Sequence, residues 1–216
     1  MPLTRVHRLS AFVADQIAAG EVVERPASIV KELVENSLDA GASAVEVRSV
    51  AGGVESLWVR DNGSGIHHDD LELAVERHAT SKIQQAQDLL GVGSLGFRGE
   101  ALASVASVSR LKISSALADA EAGWYLESHG GKRIGNGPIA HNQGTSVEVW
   151  DLFYNTPARR KFLKAERTEN QQIDQTLRRL SLANMDVAFS LVQSRPGSSG
   201  LQATNSETKR LSLTAG

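Results

Sequence analysis

The sequence predicts an α/β two-layer sandwich (α+β in connectivity) in which helices cover one face of a mixed, mostly antiparallel sheet. Three observations predict it. Apolar residues recur with a 3.6-residue period at Ile29, Val30, Leu33, Val34 and Leu38, and again at Ile173, Leu177 and Leu180. Val45, Val47 and Ser49 alternate with Ala44, Glu46 and Arg48, and further strand-like runs cover 54–59, 111–113 and 147–149. The 19 glycines fall partly in short loops between these runs, where close backbone approach or positive φ is needed.

Composition narrows the function classes. With 216 residues, 41% of them apolar, the chain is long enough for a real core without staples, and an extended disordered chain is excluded. The absence of cysteine excludes disulfides, thiolate metal sites and cysteine nucleophiles. No window approaches the roughly 18 apolar residues of a membrane span. Met1–Arg5 leads into polar sequence with no signal-peptide core, so a soluble intracellular protein is expected. A net charge of -2 argues against a polycation. Even so, Arg159, Arg160, Lys161, Lys164, Arg167, Arg178 and Arg179 outnumber the three acids between Ala158 and Arg179. A solvated helical face and a phosphate contact explain that local excess equally well.

In chain order, 11–19 reads as a short helix ending at Gly20. Pro26 suits a first helical position, and the helix it opens runs to the stop at Asp39-Ala40-Gly41. The runs at 45–49 and 54–59 form a hairpin joined through Gly52-Gly53, and Asp61-Asn62-Gly63-Ser64-Gly65 then stops the second strand. Asp69 is a candidate cap for a helix carrying Leu71, Leu73, Ala74 and Val75. From Ala79 to Glu100 no apolar period persists, although 83–90 suits one short helical piece, and a loop of this length usually has a function. A small-residue helix at 101–108 precedes strands around Leu111, Ile113, Trp124, Leu126, Val147 and Val149, broken by Gly123, Gly130, Gly131, Gly135 and Gly137. Thr156 and Pro157 read as cap and first residue of a helix whose buried face is Phe162-Leu163. A longer helix ends near Asn184-Met185, a strand covers 187–192, and the polar tail adds only a terminal strand pair or a stub.

Chemistry concentrates in four segments: ELVENSLDA at Glu32–Ala40, DNGSGI at Asp61–Ile66, GFRGEAL at Gly96–Leu102, and Gly144-Thr145. Glu32 and Asn36 are four apart and share a helix face, whereas Glu35 points elsewhere. Asp39 falls near that face and suits the helix-ending turn equally well. No GxxxxGK[ST] string occurs, which excludes a P-loop ATPase. The six histidines show no HExxH spacing, and the adjacent His67-His68 pair reads as solvated, so a structural zinc site is rejected. No GxSxG elbow is present, and Trp58, Trp124 and Trp150 read as sheet packing.

These segments resemble the nucleotide-binding motifs of the GHKL ATPases, which include topoisomerase ATPase subunits, heat-shock chaperones, histidine kinases and the MutL mismatch-repair family. QIAAGEVVERPASIVKELVENSLDAGA at Gln16–Ala42, RHATSKI at Arg77–Ile83, SLGFRGEALAS at Ser94–Ser104 and LFYNTPARRKFLK at Leu152–Lys164 are most similar to the mismatch-repair family. The likeness covers about Ala11 to Val192 and implies a GHKL (Bergerat-type) ATPase fold. It implies a flexible arm and short helix at 1–20, an ATP-binding domain at 21–195 with a lid at 79–100, and a terminal segment at 196–216 leading towards a second domain.

The resemblance also implies roles. Glu32 would be the general base for the attacking water, and Asn36 would hold magnesium. Asp61 would accept from the adenine amino group, with Thr145 supporting that edge through its hydroxyl and a water, and Asp39 secondary. Gly63 and Gly65 would leave room for ring and sugar. The backbone of Leu95, Gly96, Phe97, Arg98, Gly99 and Glu100 would surround the phosphates. Thr80 and Lys82 would add phosphate or lid contacts, with a solvated lysine as the competing account. Arg159, Arg160, Lys161 and Lys164 would contribute weakly to DNA contact. Expected cofactors are ATP and Mg2+. Expected partners are a second copy joined through the N-terminal segment in an ATP-dependent dimer, a MutS-type mismatch sensor, a repair endonuclease and helicase, and DNA, with no membrane. The expected location is the bacterial cytoplasm.

Two departures from the family pattern shape the expected activity. Leu90-Gly91-Val92-Gly93 is richer in glycine than that stretch usually is, which predicts a looser lid. The family's second domain supplies a lysine to the γ-phosphate and is not among these residues, which predicts weak or absent turnover. A catalytically silent interaction module is the alternative. A kinase or chaperone relative is disfavoured by the ERPASIVKELVENSLDAG and FYNTPARRKFL blocks.

Overall fold

The computed structural model describes residues 8, 16, 17, 19, 20, 22–80, 100–195 and 209–213. Gln16, Ile17, Ala19 and Gly20 are helical, but Val22 is helical too, and the Val23 N–H donates to the Ala19 carbonyl. Gly20 therefore does not end this segment. Helix α1 (Pro26–Asp39) starts with proline in its first turn, where the missing N–H costs nothing, and buries Ile29, Val30, Leu33 and Val34. Its end is closed by Gly41 N–H to Leu38 O and Ala42 N–H to Ser37 O, the paired bonds of a Schellman cap.

Strands β1 (Ala44–Val50) and β2 (Ser56–Asp61) are the expected antiparallel hairpin, joined by a 3-10 turn at Ala51–Gly53. Val45 and Val47 on β1 and Leu57 and Val59 on β2 face the helices, so period-two alternation translates directly into one buried face. Asp69 does not cap the next helix. It lies inside a 3-10 turn, His68–Asp70, whose cap is the His67 ring accepting from the Asp69 N–H, and α2 is only Leu71–Ala74. The segment expected to be a lid, including the short helical piece expected at 83–90, lies outside the described residues apart from 79, 80 and 100.

Helix α3 (Ala101–Val108) leads into β3 (Arg110–Ala116) and β4 (Gly123–His129). An additional strand, β5 (Lys132–Ile139), follows the turn at Gly130-Gly131, so Gly123, Gly135 and Gly137 lie within strands rather than breaking them. Beyond β6 (Gly144–Trp150), Thr156 and Pro157 sit at the start of α4 (Pro157–Arg160) as expected, but the Thr156 hydroxyl makes no capping bond. Phe162 is 79% exposed, so only Leu163 of the expected pair packs on the core. Helix α5 (Glu166–Ala183) buries Ile173 and Leu177 against α1 and β7 (Ala188–Ser194). The tail supplies β8 (Lys209–Leu213), antiparallel to β7.

The eight strands form one sheet in the order β5-β4-β3-β6-β2-β1-β7-β8, with β1 and β7 the single parallel pair among the described residues. Helices α1, α3 and α5 lie on one face, and the core between the layers brings Val30, Val34, Ile113, Leu126, Phe153 and Leu177 together. This is the mixed, mostly antiparallel two-layer fold the sequence predicts. Among the described residues no helix is long and apolar enough to cross a membrane.

Candidate active site

Asp61, the last residue of β2, occupies an inward position in line with Leu57 and Val59 and is only 7% exposed. Burying a carboxylate is costly unless donors replace water, and three do so here. The N–H groups of Gly63 and Thr145 donate to Oδ1 at 2.9 and 3.1 Å, and the Ser37 hydroxyl donates to Oδ2 at 2.9 Å. The side chain is thereby fixed between α1, the glycine loop and β6. Oδ2 keeps acceptor capacity, since each carboxylate oxygen accepts about two bonds.

Gly144 opens β6 at φ +110°, and a Cβ there would overlap the Asp61 carbonyl, so glycine lets β6 begin hard against the end of β2. Thr145 is buried, and its contact with Asp61 comes from the backbone N–H; its hydroxyl lies 2.9 Å from the Ser115 Oγ. Ser115 accepts from the Ile66 N–H and donates towards the Gly144 carbonyl, tying the loop after Asp61 to β3 and β6. Gly63 and Gly65 are closely packed against the protein's own backbone. The space a Cβ would take presses on the Ala40 carbonyl at Gly63 and on the Ala116 carbonyl at Gly65, so these glycines serve close loop packing.

Glu32 and Asn36 sit one turn apart on α1, both half-buried, and Asn36 immediately precedes the serine that holds Asp61. Lys31 lies 3.5 Å from Glu32 and 2.9 Å from Glu35. Partial burial pulls the Lys31 pKa down, but the bond to Glu35 and the charges of Glu32 and Glu35 outweigh it, and the net shift is upward. Glu35 is buried in that pair. Asp39 is exposed at the end of the helix.

Thr80 and Glu100 are both half-buried, with the Glu100 carboxylate 3.4 Å from His78 Nδ1. Lys82, Leu95, Gly96, Phe97, Arg98 and Gly99 lie outside the described residues. In the basic run, Arg159 is engaged, donating to the Ile17 carbonyl at 3.2 Å, whereas Arg160, Lys161 and Lys164 face solvent.

Lys31, Ser37 and Ser115 were missed by sequence reasoning. Ser37 carried a usable signal, because it follows Leu33 by four residues and therefore occupies an apolar-face position of α1. Ser115 carried none, as its partners belong to other segments.

The fold is that of a GHKL-type domain, and the family described as histidine kinase-, DNA gyrase B-, and HSP90-like ATPase matches residues 24–129. Similar proteins include the DNA mismatch repair protein MutL of Pseudomonas entomophila (strain L48), 60% identical over 189 residues, covering 87% of this chain and 30% of that protein. MutL of Pseudomonas putida (strain GB-1) is 55% identical over 208 residues, covering 96% of this chain and 33% of that protein. The Aquifex aeolicus MutL ATPase domain complexed with ADP superposes with a TM-score of 0.70 at 35% identity, covering 90% of this chain and 65% of that one. The chain belongs to the MutL family and corresponds to its N-terminal ATPase domain. It spans about a third of the length of the curated MutL relatives.

Proposed function

We propose that this chain is the ATP-binding, slowly hydrolysing N-terminal module of a MutL-type DNA mismatch repair protein. Nucleotide would close the 79–100 lid and join two copies, coupling mismatch recognition to downstream repair. The observation that carries the reading is Asp61, a buried carboxylate held by three donors with acceptor capacity left on Oδ2. That capacity matches an exocyclic adenine amine, which is a donor.

The residues of α1 fit a magnesium-bound triphosphate. The amide oxygen of Asn36 is a hard ligand on the same flank as the Glu32 carboxylate, and α1 itself carries neither cysteine nor histidine. When bound, magnesium supplies charge neutralisation at the phosphate oxygens. Glu32 orients the attacking water and takes its proton at the carboxylate, and Lys31 at 3.5 Å steadies that carboxylate before substrate arrives. Gly96 to Glu100 would present backbone N–H groups to the phosphates, with Thr80 and Lys82 closing over them.

The partners that follow are a second copy, a MutS-type sensor, a repair endonuclease and helicase, and DNA held weakly through Arg160, Lys161 and Lys164. The relatives are bacterial, and the bacterial cytoplasm is where such a module would work. A second reading is a nucleotide-binding module without turnover. Titration of the 216-residue chain with Mg-ATP, with mass measurement and phosphate release on the same sample, tests both. Saturable binding with slow release supports the first reading, binding without release the second, and no binding overturns both.

A further inference from the structure

The sheet face opposite the helices carries its own ordered chemistry. Across it, Arg48, Trp58, Glu148, Lys112 and Glu127 are successive register partners, so charges alternate, and the Arg48 guanidinium stands 4.5 Å from the Trp58 ring centroid. The neighbouring row runs Glu46, Arg60, Ser146, Ser114 and Tyr125. Here the neutralisation fails. Glu46 is opposite Arg60 in register, but its carboxylate is bonded to Arg48 Nε at 2.7 Å. Among the described residues, the half-buried Arg60 side chain has no hydrogen bond or ion pair.

Arg60 and Trp58 line an open concavity of about 890 Å³, bordered by Pro138, Ile139, His141 and Glu148. That volume is within the range of ligand sites, about 300–1,000 Å³. His141 does not compete for an anion as a cation would. Burial holds its pKa below the ordinary value, the Asn142 carbonyl opposes this, and the Arg60 charge adds to the lowering; its Nε2 lies 2.8 Å from the Ser146 hydroxyl. Glu148 and Glu121 in the lining disfavour a polyanion, because each added phosphate would approach a carboxylate. What remains is one unmatched planar guanidinium beside an indole and a proline. A guanidinium pairs best with a carboxylate, through two parallel bonds, and the indole and proline favour an apolar body.

We propose that this concavity binds an organic monocarboxylate with an apolar or aromatic body, its carboxylate on Arg60 and its body against Trp58, Pro138 and Ile139. The site lies back to back with the aspartate site. Arg60 and Asp61 are successive residues of β2 serving opposite faces, and Ser146 and Thr145 repeat that relation on β6.

The test is an NMR titration of the whole chain with 2-naphthoate, its neutral amide and inorganic phosphate, reading the Trp58 indole and Arg60 Nε resonances. Saturable shifts are expected with 2-naphthoate alone, weakened about tenfold or more in Arg60→Gln and also in Arg60→Lys, which keeps the charge but loses the fork. Unchanged far-UV dichroism shows that each variant is folded. The proposal is overturned by an absence of saturable shifts, by equal binding to Arg60→Gln, by equal binding of the amide, or by phosphate binding as tightly as the carboxylate.

Discussion

Replacing Ser37 with alanine isolates the bond that ties α1 to the aspartate. The hydroxyl lies 2.9 Å from Asp61 Oδ2 and 3.1 Å from the Leu33 carbonyl, and both bonds are buried. One proton serves one acceptor at a time, and the charged oxygen is the stronger of the two. Alanine removes the single protein donor shown on Oδ2, while Gly63 and Thr145 continue to hold Oδ1. A bond to a charged group contributes about 1.5–3 kcal/mol. In a domain of this size about 1 kcal/mol moves the melting temperature by roughly 2–4 °C, so a loss of about 3–12 °C is expected by calorimetry. The attribution needs a double-mutant cycle with Asp61→Asn, because the two substitutions should cost less together than the sum of their separate effects. An unchanged melting temperature in Ser37→Ala, or strict additivity in the cycle, would refute the argument.

The remaining predictions probe other parts of the molecule. Glu32→Ala should lower phosphate release by about 100-fold or more while nucleotide affinity stays within about threefold, measured by phosphate release beside calorimetric titration; a parallel loss of affinity contradicts the base assignment. Gly144→Ala forces a Cβ onto the Asp61 carbonyl at φ +110° and should destabilise by about 2–4 kcal/mol in urea unfolding, whereas a neutral result would show that β6 can shift away. The folded pKa of His141 is depressed below 6.5 by burial, so its contribution to stability is present above 6.5 and is lost as pH falls through the folded value. Melting curves across that acid limb should flatten in His141→Gln, and an identical limb in the variant contradicts the assignment.

Helix α1 and the β1–β2 hairpin were legible because pattern and punctuation agree. A proline opens the helix, a glycine follows its end, and alternation on both strands matches their buried face. Strand β5 was not legible, since Gly135, Gly137 and Pro138 read as breakers. At the sheet edge it bonds on one side only, and proline is tolerated there. Phe162 misled for a related reason. Its apolar side chain implied burial, but α4 has only 4 residues and presents no continuous face to the core. Asp69 is not the cap because it lies inside the His68–Asp70 turn, and the residue that flanks α2 is Asp70. Within the site, an acid leading a glycine loop marked Asp61. The partners of the serines that hold the loop were not legible, because Ser37 meets Asp61 across 24 residues through the packing of α1 on the sheet and Ser115 meets Thr145 across 30 through strand pairing.

Asp61→Asn tests the purine assignment most directly. Asparagine can keep one oxygen on the Gly63 and Thr145 N–H groups while placing an amide donor where a second acceptor stood. In calorimetric titration with a non-hydrolysable Mg-ATP analogue, the wild-type chain should bind saturably and the variant about 10–100-fold more weakly. Equal affinity in the two chains would contradict the account.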